Sequence, residues 1–432
     1  MTTASERTLQ ILKEIAKPVP LGTNLGLLQL MWAIITGAFL SSRGAVHTAL
    51  LLSGFSVEEI RRSWRALRSG KWQIHELVNC FRVAVLADGQ WQPRLCGGFR
   101  PVAVDLTAIW RPKLRGWPGK MFHTVVGKRR TGIGFGLIVD VGQVGDHRVP
   151  LLRAIVPTET AAESEKTLQR RTLVKVARLL AEDEVCVHDA GVLLSEFQAA
   201  EIPRYVVRLR LNATARRNVL PEYSGQGRRY TFGPLVRPLP RQRKGKQIAA
   251  SPADSSEGFS YEGRLIEARC WYDLIRSDQH VSATNATYNI WVLDDPVYEN
   301  PLVLATNLDC TAEDAYHFYV NRWPVEQVPL AAKQLLGMKR QFVFTPSSCQ
   351  RLGELAFLMG NALTWLAATL PPAPTGFWDR QPKKTPGRLR RQLSQAVFSN
   401  VWLAEPEFRK KRSVTSHLPK GVAAHRRTRA PG

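Results

Sequence analysis

The sequence predicts an α/β protein with a helical N-terminal segment in front of the mixed domain. Three observations carry that expectation. Apolar residues recur at helical spacing up to about residue 95. From residue 100 the period becomes that of strands, in three runs separated by turn residues. Beyond residue 160, helical and strand-like stretches alternate, which describes an α/β domain with an antiparallel part. At 432 residues, 44% hydrophobic and 22% charged, the chain has the composition of an ordinary globular protein and the length for two or three domains. The expected units are a helical segment at 1–95, a mixed domain at 96–371 and a basic tail at 372–432.

In the helical segment, "ERTLQILKEIAK" carries apolar positions at helical spacing. "LGLLQLMWAIITGAFL" (25–40) falls short of the roughly 20 residues of a membrane span. It contains Gln29, and it lies behind a mixed-charge stretch with Glu6 and Glu14 that is unlike a signal peptide, so it reads as a buried helix. "GAVHTALLLSGFSVEEIRRSWRALRSGKW" then gives helix, Ser-Gly turn and helix, with Ser56 and Glu59 spaced as a capping box. These are the parts of a helix-turn-helix, and Arg61, Arg62, Arg65 and Arg68 suit a face turned towards DNA. Two packed helices with a solvated basic face have the same pattern.

The mixed domain opens with "RPVAVDLTAIW" (100–110), "GIGFGLIVDVG" (132–142) and "RVPLLRAIV" (148–156) as strands. Next come a helix over "ESEKTLQRRTLVKVARLLAED", a strand "EVCVHDAG" (184–191), a helix around "LLSEFQAAEI" and a strand "YVVRLRLN" (205–212). From about 213 to 300 short β-like pieces read as an insertion, with a polar loop at 241–258. "PLVLATNL" (301–308) returns to strand character, and a helix comes after it. The tail after Pro371 and Pro372 holds 14 Lys and Arg against three acids and is expected to be poorly ordered.

Lys and Arg total 60 against 36 Asp and Glu, a net charge of +24 with a pI near 10.2. That excess favours a polyanionic partner, nucleic acid before an anionic membrane surface. The six cysteines are scattered, with no CxxC pair, as expected of reduced thiols in a cytosolic protein.

Three carboxylates stand at telling places. Asp105 lies in the first strand, two residues before Thr107; Asp189 ends "VCVHD"; Glu326 sits on the helix after the insertion. Acids at the ends of neighbouring strands converge, and a crossing helix adds a third. Such a set suits two Mg²⁺ ions, with Mn²⁺ as a substitute, and in-line displacement at phosphorus. An Asp at a strand end also serves as a plain turn or cap residue. Asp140, in "LIVDVG", is the decoy expected to play no part. In "YVNRWPVEQVPLAAKQ" (319–334), Tyr319, Arg322, Glu326 and Lys333 fall within an arc of about 60° on an ideal helix. Pro324 suits a first turn; Pro329 is expected to kink the helix before Lys333.

This Tyr-x(2)-Arg-x(3)-Glu-x(6)-Lys pattern resembles the signature of bacterial insertion-sequence transposases of the DDE class. "NRWPVEQ" looks like its core, and "AKQLLGMKR" and "CQRLGELAFLMGNALTWLAA" look like the segments beyond that core. "VAVDLTAIW" and "VHDAGV" match the surroundings of the two aspartates. "GAVHTALLLSGFS" through "GKW" is similar to the N-terminal segment of part of the group, so the resemblance spans about residues 30 to 370. It implies an RNase H-like catalytic domain with a β-rich insertion. It also implies a Mg²⁺-dependent enzyme, with Asp105, Asp189 and Glu326 as metal ligands. The partners it implies are double-stranded DNA, transposon terminal inverted repeats and target DNA, engaged by a homodimer, and the implied place is the bacterial cytoplasm, at the nucleoid. By the same resemblance Tyr319, Arg322 and Lys333 are expected to contact the DNA backbone. Trp291 is a candidate to hold a flipped base, against core packing. A DNA-binding derivative without catalysis, or a nuclease without strand transfer, keeps the same charge.

Overall fold

Thr3 and Ser56 each close a capping box, with Glu6 and Glu59 respectively, and so start two helices where the sequence supplies both partners. The computed structural model describes residues 3–117, 119–243, 245–398 and 408. The helical segment comprises α1 (Ala4–Ala16), α2 (Asn24–Ile35), α3 (Ala38–Ser41), α4 (Val46–Leu52), α5 (Val57–Ser69) and α6 (Ile74–Asp88). Helix α2 is the run expected to be buried. Nearly all of it is, and its Gln29 is satisfied by Glu59 and Ser63 of α5. Among the described residues no helix is long and apolar enough to cross a membrane.

The strands come next. β1 (Trp91–Pro93), β2 (Arg100–Trp110), β3 (Lys120–His123), β4 (Lys128–Val144) and β5 (His147–Pro157) lead to α7 (Glu165–Leu179), β6 (Glu184–His188), α8 (Leu194–Ala199) and β7 (Tyr205–Arg208). The three β-rich runs thus fall on β2, β4 and β5. The last strand is shorter than "YVVRLRLN", because the chain leaves the sheet after Arg208. The insertion holds β8 (Ala215–Arg217), β9 (Leu235–Val236), β10 (Arg241–Arg243), β11 (Lys246–Ile248), β12 (Ser255–Tyr261), β13 (Arg264–Arg276) and β14 (Tyr288–Asp294). After β15 (Leu302–Thr306) come α9 (Ala312–Asn321), α10 (Pro324–Leu330), α11 (Pro346–Thr369) and α12 (Pro386–Leu393).

One mixed sheet runs β1-β4-β2-β6-β7-β15-β14-β13-β8-β9, with β5 and β3 also on β4 and β12 on β13. Strands β5, β4 and β2 are antiparallel, whereas β2, β6 and β7 are parallel. The insertion is not a separate body. β15 pairs with both β7 and β14, so the inserted strands extend the same sheet. Within the loop expected at 241–258, β10 and β11 form a small hairpin of their own.

Buried residues on both sides of residue 95 belong to one cluster. Leu12, Trp32 and Phe81 from the helical segment share one core with Val139 and Leu151 of the sheet and Phe357 and Trp365 of α11. The core of the N-terminal helices is therefore continuous with that of the sheet and α11. Residues 372–398 carry α12, whose Leu389 and Leu393 are buried, and Arg388 pairs with Asp379 at 2.7 Å. The rest of the tail, apart from Phe408, lies outside the described residues.

Asp140 lies on β4 opposite Val102 and is buried between two arginines, Arg82 of α6 and Arg153 of β5, the latter at 2.6 Å. Arg153 continues to Glu184, at the amino end of β6, at 2.5 Å. This is an ion network joining helix to sheet. Asp140→Asn leaves two arginines short of charge in a site where the acid is 11% exposed. It should cost about 3 kcal/mol of stability in urea unfolding. Deleting residues 1–88 should abolish the cooperative transition altogether; a truncated chain that still unfolds cooperatively contradicts the shared core.

Candidate active site

Two aspartates become neighbours through strand register. In the parallel pair β2–β6, Val104 lies opposite His188. The next residue on each strand is Asp105 and Asp189, so both acids leave the sheet at the same place, at the carboxyl end of β6. Ligands of open α/β sheets bind at such ends. His188 is buried, and burial lowers its pKa to about 4, so the ring is neutral. Its Nδ1 lies 2.9 Å from the Asp189 carbonyl oxygen, which can only accept, so Nδ1 carries the proton and ties down the turn after β6.

The third acid arrives on a broken helix, not on the single helix drawn from the sequence. Pro324 has no N–H, and α9 stops at Asn321. Arg322, Val325 and Glu326 instead donate to carbonyls three residues back. Pro329 leaves a second gap, and the chain then widens into a π turn over Ala331–Leu335, with Leu336 N–H donating to the Ala331 carbonyl. The disruption expected at Pro329 is thus taken up two residues later as a π turn. Gly360 of α11 permits the approach, since a Cβ there would sit 3.0 Å from Ala332 N and Val328 O.

All four residues of the signature still reach one site. The Tyr319 hydroxyl donates to Asp189 Oδ1 at 2.9 Å. Arg322 Nη2 lies 2.7 Å from Glu326 Oε1 and 3.6 Å from Asp189 Oδ2. Lys333 Nζ donates to Thr107 Oγ1 at 2.6 Å, two residues along β2 from Asp105. Arg322 is only 5% exposed, and its Nε–H has no acceptor among the described residues. A buried donor left unpaired is costly and calls for a partner.

The charges are tuned by burial and by one another. Burial lifts the Asp105 carboxyl to about 6, with Glu326 adding to the rise and Arg322 and Lys333 opposing it. Burial also works against ionised Asp189, but Arg322, the Ala190 N–H and the Tyr319 hydroxyl outweigh it and hold that carboxyl below its usual range. Lys333 is pushed down to about 8 by burial, partly offset by Asp105.

Among the described residues, no three His, Cys, Asp or Glu side chains stand at ion-ligating spacing. The acids are gathered around Arg322 instead. The donor set nevertheless fits a hard cation: three carboxylates, of which half-buried Asp105 has no ion-pair partner among the described residues.

Two further site residues escaped the sequence reading. Arg208, at the end of β7, donates to the Tyr319 hydroxyl at 3.2 Å and lies 3.6 Å from Asp189. The signal was its place at the carboxyl end of the strand beside that of Asp189. Thr107 gained its role only through Lys333. The other expected residues lie elsewhere. Trp291 is 2% exposed in the middle of β14, between Cys270 and Leu304, and offers no face to a base. The exposed aromatics by the site are Trp323 and Tyr298, which line a cavity of about 600 Å³ with Asp189, Arg208, Arg322 and Glu326. Arg61, Arg65 and Arg68 are exposed on α5, and Arg61 pairs with Glu58. Arg62 is half-buried, and its Cγ and carbonyl lie over Gly26 of α2. Helix α5 packs on α2, α4 and α11, none of which carries a site residue.

No protein-family model matches the chain, and no curated protein matches it either.

The raised pKa of Asp105 sets a sign for stability in the absence of divalent ions. A carboxyl whose folded pKa lies above its ordinary 3.8 binds protons more readily in the folded state, so stability falls as pH rises from about 4 to about 6. Asp105→Asn should flatten that limb and raise Tm at pH 7. An unchanged pH profile in thermal unfolding counts against this placement of the charge.

Proposed function

We propose that this chain is a DNA transposase of the DDE class, built on an RNase H-like catalytic domain, which cleaves transposon ends and joins them to target DNA as a homodimer. The observation that carries the reading is the parallel β2–β6 register. It sets Asp105 beside Asp189, and the Tyr319, Arg322, Glu326 and Lys333 signature converges on them. The strand arrangement β5-β4-β2-β6-β7, antiparallel and then parallel, supports the RNase H-like assignment. Charge supports the partner: +24 overall favours a polyanion.

Asp105, Asp189 and Glu326 would hold Mg²⁺, or Mn²⁺ in its place. When bound, the ions would supply activation of a water or 3′-hydroxyl and stabilisation of the leaving oxygen. The chain's own residues do the rest. Arg322 offers its unpaired Nε–H to a phosphate oxygen and, without an ion, neutralises Glu326 and Asp189. Tyr319 and Arg208 fix the Asp189 carboxylate in orientation. Thr107 holds Lys333 beside Asp105, where its charge meets the DNA backbone. The inserted strands wall the site from the other side, since Tyr261 and Glu262 of the β12–β13 turn line the same cavity.

Glu326→Gln, Asp105→Asn and Asp189→Asn each preserve side-chain shape. All three should bind DNA carrying the element's ends as wild type does, or more tightly, while Mg²⁺-dependent cleavage and joining fall about a thousandfold or more. Cleavage on a sequencing gel and affinity by gel shift measure both. A folded Glu326→Gln protein that still cuts would falsify the assignment. Binding by wild type with no cleavage in Mg²⁺ or Mn²⁺ identifies a DNA-binding derivative, and cleavage without joining identifies a nuclease.

A further inference from the structure

Beyond α11 the chain builds a fixed turn around one acid. Thr375 donates to Asp379 Oδ2 from its amide at 3.0 Å and its hydroxyl at 3.1 Å, and Arg388 of α12 reaches the same oxygen at 2.7 Å. The Asp379 side chain is 11% exposed, so its charge is spent inside the turn. The turn does the opposite for its two aromatics. Phe377 is 94% exposed and Trp378 67%, with ring centroids 5.1 Å apart at 78°.

Two adjacent aromatic rings held outwards by a hydrogen-bonded turn form a surface built for a partner. Their surroundings select its chemistry. Arg380, Lys383 and Arg391 are exposed, and the only acid between residues 372 and 398, Asp379, is already paired with Arg388. Exposed cations close in the chain to exposed aromatic faces suit a polyanion that also presents π-faces, which is unpaired nucleic acid. The position agrees. A cavity of about 350 Å³ lined by Lys384 and Pro386 at the start of α12 shares Arg148 and Trp323 with the cavity at the candidate active site. The two cavities together run from Glu326 to Lys384 and Pro386, next in the chain to this turn.

We propose that residues 375–391 form a second nucleic-acid contact, in which Phe377 and Trp378 stack on bases of an unpaired strand leading from the active site while Arg380, Lys383 and Arg391 take its phosphates. The strand's link to catalysis rests on the DNA reading of the site; the contact itself does not. The test is fluorescence anisotropy with labelled oligothymidylate and with a mixed-sequence duplex, in EDTA. Phe377→Ala/Trp378→Ala should weaken single-strand binding about tenfold or more, with duplex affinity unchanged. Phe377→Tyr/Trp378→Phe should restore it. Arg380→Gln/Lys383→Gln should flatten the salt dependence of single-strand binding by roughly one to two units. Unchanged single-strand affinity in the alanine pair overturns the proposal, as does an equal loss on both DNAs. Either result alongside Mg²⁺-dependent cleavage by wild type leaves the active-site reading intact. Selective loss on the single strand from a chain that never cuts supports this contact and removes the other. Loss of self-association or of vesicle binding, with DNA binding intact, overturns it in favour of a protein or membrane partner.

Discussion

The pairing of β2 with β6 is the constraint on which the rest depends. Parallel strands have a single spacing, so fixing Val104 opposite His188 fixes Asp105 beside Asp189. A slip of one residue would turn Asp105 to the other face of the sheet. The register is protected from both sides. Val102 and Val104 are buried in one core, and Val185 and Val187 of β6 in another. Both strands are thus anchored by apolar side chains whose burial contributes roughly 2 kcal/mol each, and the polar residues are carried with them.

Gathering acids has an electrostatic cost that the chain meets from within. Arg322 lies between Asp189 and Glu326, Arg208 beside Asp189, and Lys333 near Asp105. Arginine suits the buried position, because it stays charged and its planar fork serves two carboxylates. The compensation is incomplete. Asp105 remains destabilised as an anion, and Arg322 keeps one N–H without an acceptor among the described residues.

Helix α11 transmits rigidity to that site. Twenty-four residues long and buried along most of its length, it touches the N-terminal helices, the sheet, α10 and the π turn. Its Asn361 accepts from Leu152 N–H at 2.8 Å and donates to the Pro150 carbonyl at 2.6 Å, so a buried amide holds β5 where its pairing with β4 is irregular. The segment carrying Lys333 is therefore held against a scaffold shared with residues far away in the chain.

The strands β2, β4 and β5, the buried α2 and the capping box at Ser56 were legible in the sequence, because each arises from local periodicity or a pair three residues apart. So was the company of Tyr319, Arg322, Glu326 and Lys333, since residues near one another on a helix tend to remain on one side even when its path is disturbed. Sequence alone did not reveal how the path bends. Two prolines remove two donors, and the chain beyond them widens into a π turn that packs closely on Gly360. Nor did it show that residues 1–95 share a core with the sheet, or that Arg208 meets Asp189 and Thr107 meets Lys333. Those facts join residues tens to hundreds of positions apart. Local propensity says which face a residue takes; the sheet's register and the shared core decide what that face meets.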